Sequence, residues 1–141
     1  MSNWVECVLE ITGAPDTVND CLASIGSTES DEAVGLCGTN WYMWGIDVER
    51  PPDGAAARIQ FRTKAIPPLP VVETLADQFP SLGFDLRFMD QQWPFAGRRR
   101  RVPSHAHWAT TDAEGDYGFC RAAFEAESWD PFEDDTAPAR G

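Results

Sequence analysis

Between residues 3 and 12, apolar and polar positions alternate. Val5, Cys7, Leu9 and Ile11 fall on one side; Trp4, Glu6, Val8, Glu10 and Thr12 fall on the other. A side-chain period of two predicts a half-buried strand, which Gly13 ends. Pro15 and Asp16 suit the first turn of a helix, and Val18, Leu22 and Ile25 recur on one face of it before Gly26. Residues 41–49 predict a second strand, with Tyr42, Trp44, Ile46 and Val48 facing one way. Arg50-Pro51-Pro52-Asp53-Gly54 predicts a turn. Ala57, Ile59, Phe61 and Thr63 then alternate with Arg58, Gln60, Arg62 and Lys64, so the two runs read as an antiparallel hairpin. Pro67, Pro68 and Pro70 open a second helix, whose apolar stripe is Val71, Val72, Leu75, Ala76 and Phe79. Glu73, Thr74, Asp77 and Gln78 form its wet face, and Pro80 ends it. Phe84, Leu86 and Phe88 alternate with Asp85, Arg87 and Met89 in a fourth strand.

The predicted order is strand, helix, strand, strand, helix, strand. Four half-apolar strands and two amphipathic helices bury their apolar faces on one another as two layers. The expected fold is therefore α+β, a ferredoxin-like βαββαβ sandwich with an antiparallel sheet and two helices on one face, plus a C-terminal extension. Residues 1–110 are assigned to that domain and residues 111–141 to an acidic, aromatic-containing extension that is partly ordered. Residues 95–102 can add to the sheet as a hairpin partner. Residues 117–127 can form a short helix with Phe119, Ala123 and Phe124 on a shared face.

An ordered set of motifs supports this reading. Asn3-Trp4 leads to Leu9 and Ile11-Thr12-Gly13. Phe61-x-Thr63-Lys64 is followed by Pro67-Pro68-x-Pro70-Val71 and by Leu75-Ala76-x-x-Phe79-Pro80-x-Leu82. Phe88-x-Asp90 and Phe95-Ala96-Gly97 complete the set. Over about residues 1–100 the chain resembles the YubB ferredoxin-like (Api92-like) family carried on bacterial plasmids and phages. It departs from the family pattern at Ala65-Ile66, where a tryptophan is usual, at Asp90, where a glutamate is usual, and at Val5-Glu6-Cys7, where a Cys-x-Asn step is usual. The resemblance implies a ferredoxin-like fold and a mobile-element origin, and no particular activity.

Charge narrows the function classes. The 141-residue chain has 43% hydrophobic residues, enough for a core, and a formal net charge of −12. Such a charge disfavours direct contact with nucleic acid or an anionic membrane and favours a partner with a basic surface. The N-terminal residues show no secretory pattern, and no run nears the roughly 18 apolar residues of a membrane span. The expected location is the cytoplasm of a bacterial host. Cys7, Cys21, Cys37 and Cys120 form no C-x-x-C pair and are expected as reduced thiols.

Three constellations carry candidate chemistry. The first is the segment from Asp112, where Asp112, Glu114, Asp116, Glu125, Glu127, Asp130, Glu133, Asp134 and Asp135 interleave with Tyr117, Phe119, Phe124, Trp129 and Phe132. Carboxylates on a rigid scaffold can imitate DNA phosphates. The leading expectation is thus a non-enzymatic interaction protein of a phage or plasmid, an acidic inhibitor or DNA mimic of a host nucleic-acid-handling or defence protein. Trp4 and Trp41 form an aromatic platform on the outward sheet face. The second constellation is Arg98, Arg99, Arg100 and Arg101, either a nucleic-acid-binding run or the internal counter-charge of the chain's own acids. The third is His105 and His107 with Cys37, the remaining option for a small hydrolase or metal enzyme. Two histidines fall short of the usual three or four zinc ligands. No metal, cofactor or catalytic residue is assigned.

Overall fold

The computed structural model describes residues 4–25, 34–35, 42–52, 54–64, 66–90, 95–104, 107–114 and 117–125. The elements run β1 (Trp4–Thr12), α1 (Pro15–Ile25), β2 (Val34–Gly35), β3 (Tyr42–Glu49), β4 (Ala56–Lys64), α2 (Leu69–Gln78), β5 (Gly83–Asp90), β6 (Phe95–Arg101), β7 (Ala109–Glu114) and α3 (Tyr117–Glu125). They build one seven-stranded sheet in the order β2-β3-β4-β1-β5-β6-β7, with every neighbouring pair antiparallel.

The alternation along β1 decides what each face carries. Val5, Cys7, Leu9 and Ile11 point to one face, where they join Ala57, Ile59 and Phe61 of β4 and Phe84, Leu86 and Phe88 of β5. Val18, Cys21 and Ile25 of α1 and Val71, Val72, Leu75 and Ala76 of α2 close over this first face. Burial of a Leu or Ile side chain contributes about 1.5–3 kcal/mol, so this cluster is the main source of stability.

The expected two-helix βαββαβ sandwich is not the fold that forms. Among the described residues there are three helices, the sheet runs to seven strands, and both of its faces carry helix. Two physical causes account for the difference. β6 and β7 satisfy backbone groups along an edge of β5 that a four-stranded sheet leaves open. Val8, Met89, Ala96 and Ala113 also make an apolar strip on the second face, and α3 covers it with Cys120, Ala123 and Phe124. Phe119, expected on the buried side of this helix, is instead 40% exposed, and Cys120 takes its place.

β3 holds another correction. Its pairing with β4 slips between Trp44 and Asp47, and Gly45 sits there at φ +62°, a conformation that glycine adopts without strain. The bulge resets the alternation. Met43, Ile46 and Val48 face the core, while Trp44, opposite Arg62, turns to the second face.

Three thiols are described, and all are buried: Cys7, Cys21 and Cys120. Burial pushes the Cys7 thiol from 9.0 up to about 12, against the opposing effect of its contact with Thr63. A group raised in the folded state contributes fully below its unfolded value and loses that contribution as pH rises through the folded one. The unfolding free energy from urea titration should therefore fall as pH climbs from 9.0 toward 12, by at most about 1.4 kcal/mol per pH unit for this group. The decline should be shallower in Cys7→Ala; an identical slope in both proteins would contradict the assignment. Among the described residues, no helix is long and apolar enough to cross a membrane.

Candidate interaction surfaces

Because β6 is a strand, the four consecutive arginines divide between two faces. Arg99 and Arg101 lie opposite Leu86 and Phe84 on the first face; Arg98 and Arg100 lie opposite Arg87 and Asp85 on the second. Arg98 is 4% exposed and makes a two-pronged contact with Asp85, at 3.0 and 2.7 Å. Arg101, 7% exposed, reaches Asp77 of α2 at 2.7 Å. Arg99 donates to Asp112 at 2.8 Å and lies 5.2 Å above the Phe88 ring. Arg100 is exposed and forms no ion pair among the described residues. The run is thus no continuous basic stripe. Among the described residues it supplies internal counter-charge to Asp85, Asp77 and, from the acidic segment, Asp112.

The same inward turn holds for Arg87, which is 1% exposed on the second face. It donates to the Phe124 carbonyl at 2.9 Å and to Glu10 at 3.4 Å. Burial lowers its guanidinium from the ordinary value, and Glu10 opposes that shift. The consequence for the surface is one-sided. Among the described residues, Asp16, Asp20, Asp47, Glu49, Glu73, Asp77, Asp112, Glu114 and Glu125 are exposed, against Arg62, Lys64 and Arg100.

Of the predicted acidic site, Asp112, Glu114 and Glu125 are described; Asp116, Glu127, Asp130, Glu133, Asp134 and Asp135 lie outside the described residues. The three do not form one patch. Asp112 and Glu114 project from β7 on the first face, while Glu125 belongs to α3 over the second and pairs with Arg121 at 3.2 Å. The first-face pair instead has α2 for company. Asp77 pairs with the buried Arg101, and Glu73 lines a cleft of about 230 Å³ with Arg99, Leu86 and Trp108. Glu73, Asp77 and Asp112 therefore border Arg99 and Arg101 along the α2–β7 side of the molecule, while Glu114 stands further along β7, opposite Phe95.

The second face holds a different chemistry. Arg58, Gln60, Arg62 and Lys64 succeed one another along β4 at about 7 Å intervals. Trp4 and Trp44 meet edge to face, with ring centroids 5.3 Å apart and planes at 76°. Arg62 lies 4.9 Å from the Trp4 centroid, and the Lys64 ammonium lies 5.3 Å from Trp4 and 5.0 Å from Trp44. Beside this cluster runs a groove of about 360 Å³, with Gly45, Arg58, Gln60 and Arg62 on the sheet side and Arg121, Phe124 and Glu125 on the α3 side. Arg121 also donates to Glu6 within it. Trp4 of the predicted platform is here; Trp41 lies outside the described residues, and Trp44 provides the second ring. The Gly45 bulge could have signalled this, since a glycine inside an apolar alternation marks a change of phase.

His105 and Cys37 lie outside the described residues, and His107 is exposed. Among the described residues, no group of three or more His, Cys, Asp or Glu side chains is placed to hold a metal ion. No protein-family model matches the chain, and comparisons with curated proteins and with solved structures likewise find no match.

Proposed function

We propose that this protein is a non-enzymatic interaction protein that engages a partner with a basic surface. The observation that carries this reading is the division of charge. Arginines are drawn into ion pairs against the sheet, so exposed carboxylates far outnumber exposed cations among the described residues. The α2–β7 side supports it most, because Glu73, Asp77 and Asp112 are held there on a helix and a strand rather than on loops, with the exposed Glu114 further along the same strand. Rigid carboxylates lose little freedom on binding, which favours a complementary cationic site. The resemblance to a plasmid- and phage-borne family, which rests on its motif residues, extends the reading to an acidic inhibitor or DNA mimic of a host nucleic-acid-handling or defence protein.

The test is capture from nuclease-treated bacterial lysate, followed by competition between the captured protein's own DNA and this chain. Capture should weaken steeply as salt rises, because exposed charges act over a Debye length of only about 8–10 Å at physiological salt. Glu73→Gln combined with Glu114→Gln should weaken it further. A complex indifferent to salt and to both substitutions would refute a charge-driven interaction.

A further inference from the structure

We propose that the second sheet face carries a binding site for a nucleoside phosphate, formed by Trp4, Trp44, Arg62 and Lys64 together with Arg58 and Gln60 of the adjoining groove. This goes beyond the acidic reading and rests on a different observation. Two of the three exposed cations among the described residues, Arg62 and Lys64, face tryptophan rings, and neither forms an ion pair with a described carboxylate.

The arrangement combines the two kinds of contact that a nucleoside phosphate offers. A base supplies a flat π face, and indole rings stack on it at about 1–3 kcal/mol per base. A phosphate supplies acceptor oxygens, which guanidinium and ammonium donors bind strongly. Cations resting on indole faces gain only about 0.5–1 kcal/mol each at exposed sites. They can therefore be exchanged: the ligand's ring takes the tryptophan face while its phosphate takes Arg62 and Lys64. Arg62 is held ready for this by the bulge, because its Nη2 and Nε lie 3.4 and 3.5 Å from where a Cβ on Gly45 would stand. The groove beside the tryptophans, which Arg62 joins to their cluster, encloses about 360 Å³ and so leaves room there for the part of the ligand that does not stack.

Charge selects the size of the ligand. A long polyanion on this face would meet a chain of net charge −12, and each added phosphate would be repelled by the acidic surround. Glu6 and Glu125, the carboxylates of the groove, are both held by Arg121. The site therefore favours a mononucleotide over a strand.

Calorimetric titration of the full chain at low salt tests the proposal, using adenosine monophosphate, adenosine, inorganic phosphate and a short single-stranded oligonucleotide. Adenosine monophosphate should bind one to one at sub-millimolar affinity, with adenosine and phosphate each about ten-fold weaker or more. Arg62→Ala and Lys64→Gln should each weaken it about ten-fold at an unchanged thermal midpoint. Arg100→Ala, an exposed cation outside the groove, should leave it unchanged. Any one of four results overturns the proposal: no saturation in the millimolar range, phosphate binding as well as the nucleotide, an Arg100 effect equal to that of Arg62, or an oligonucleotide that binds more tightly per site. Loss of acidic-partner capture would not bear on these titrations, so the two readings fail separately.

Discussion

Replacing Gly97 by alanine should destabilise the protein by about 3 kcal/mol, near the upper end of overpacking costs. Backbone entropy alone argues the opposite sign, since alanine in place of a strand glycine usually gains about 0.5–1 kcal/mol. Sterics decide the outcome. A Cβ on Gly97 would lie 2.2 Å from Cζ and 2.6 Å from Cε2 of Phe88, and 2.8 Å from Oδ1 of Asp112. Phe88 cannot move aside easily. It is 2% exposed, meets Phe95 edge to face at 6.1 Å, and lies beneath the Arg99 guanidinium. Asp112 cannot yield without disturbing its bond to Arg99. Urea denaturation of Gly97→Ala, Phe88→Leu and the double variant measures the effect. The double variant should recover at least about 1 kcal/mol relative to additivity, because the smaller side chain vacates the clash. A Gly97→Ala protein more stable than the parent would rule out the close approach.

The second large effect is expected at Arg87. Alanine there removes a buried guanidinium, leaves a cavity, and strips the Phe124 carbonyl of its donor near the end of α3. The expected loss is about 3 kcal/mol, at the low end for breaking a buried pair. The reason is that Glu10 is 39% exposed, so water solvates the carboxylate left behind. Arg87→Met, which keeps the stem, should lose only about 1–2 kcal/mol. Hydrogen exchange separates this local role from a general one. The α3 amides should open at lower free energy in both variants while those of β1 and β4 follow global stability. Unchanged α3 protection would mean that Arg87 does not hold the helix.

Both residues show what could be read from the chain and what could not. The alternation in β1, β4 and β5 was legible because one buried face repeats every two residues without interruption. The same logic placed Cys7 on the buried face, where it is found. Trp44 was misplaced because a single glycine reset the period, and a period count across Gly45 hides such a step. The arginine run left two readings open, a nucleic-acid-binding run and an internal counter-charge, although a strand must send alternate members of any run to opposite faces. β6 and α3 were legible at residues 95–102 and 117–127, but β7 and the second packed face were harder to foresee. The signal of that face is spread over Val8, Met89, Ala96 and Ala113, four residues from four strands that become a strip only once the register is known. The Trp4–Trp44 cluster was obscured for the same reason, since it forms across the β3–β4–β1 register and not along the sequence.

The place of β1 at the centre of the sheet also sets an order of events during synthesis. Its two neighbours are β4, ending at Lys64, and β5, ending at Asp90. At about 5–20 residues per second, roughly 4–17 s separate the appearance of β1 from that of its second partner. Throughout that interval Val5, Cys7, Leu9 and Ile11 form an apolar ridge with unpaired backbone on at least one side. Such non-local pairing makes for slow folding and a nascent chain open to mispairing. The residues between them soften the hazard: Glu6 and Glu10 place carboxylates on the strand's opposite face, where edge-to-edge pairing with another copy would bring like charges together.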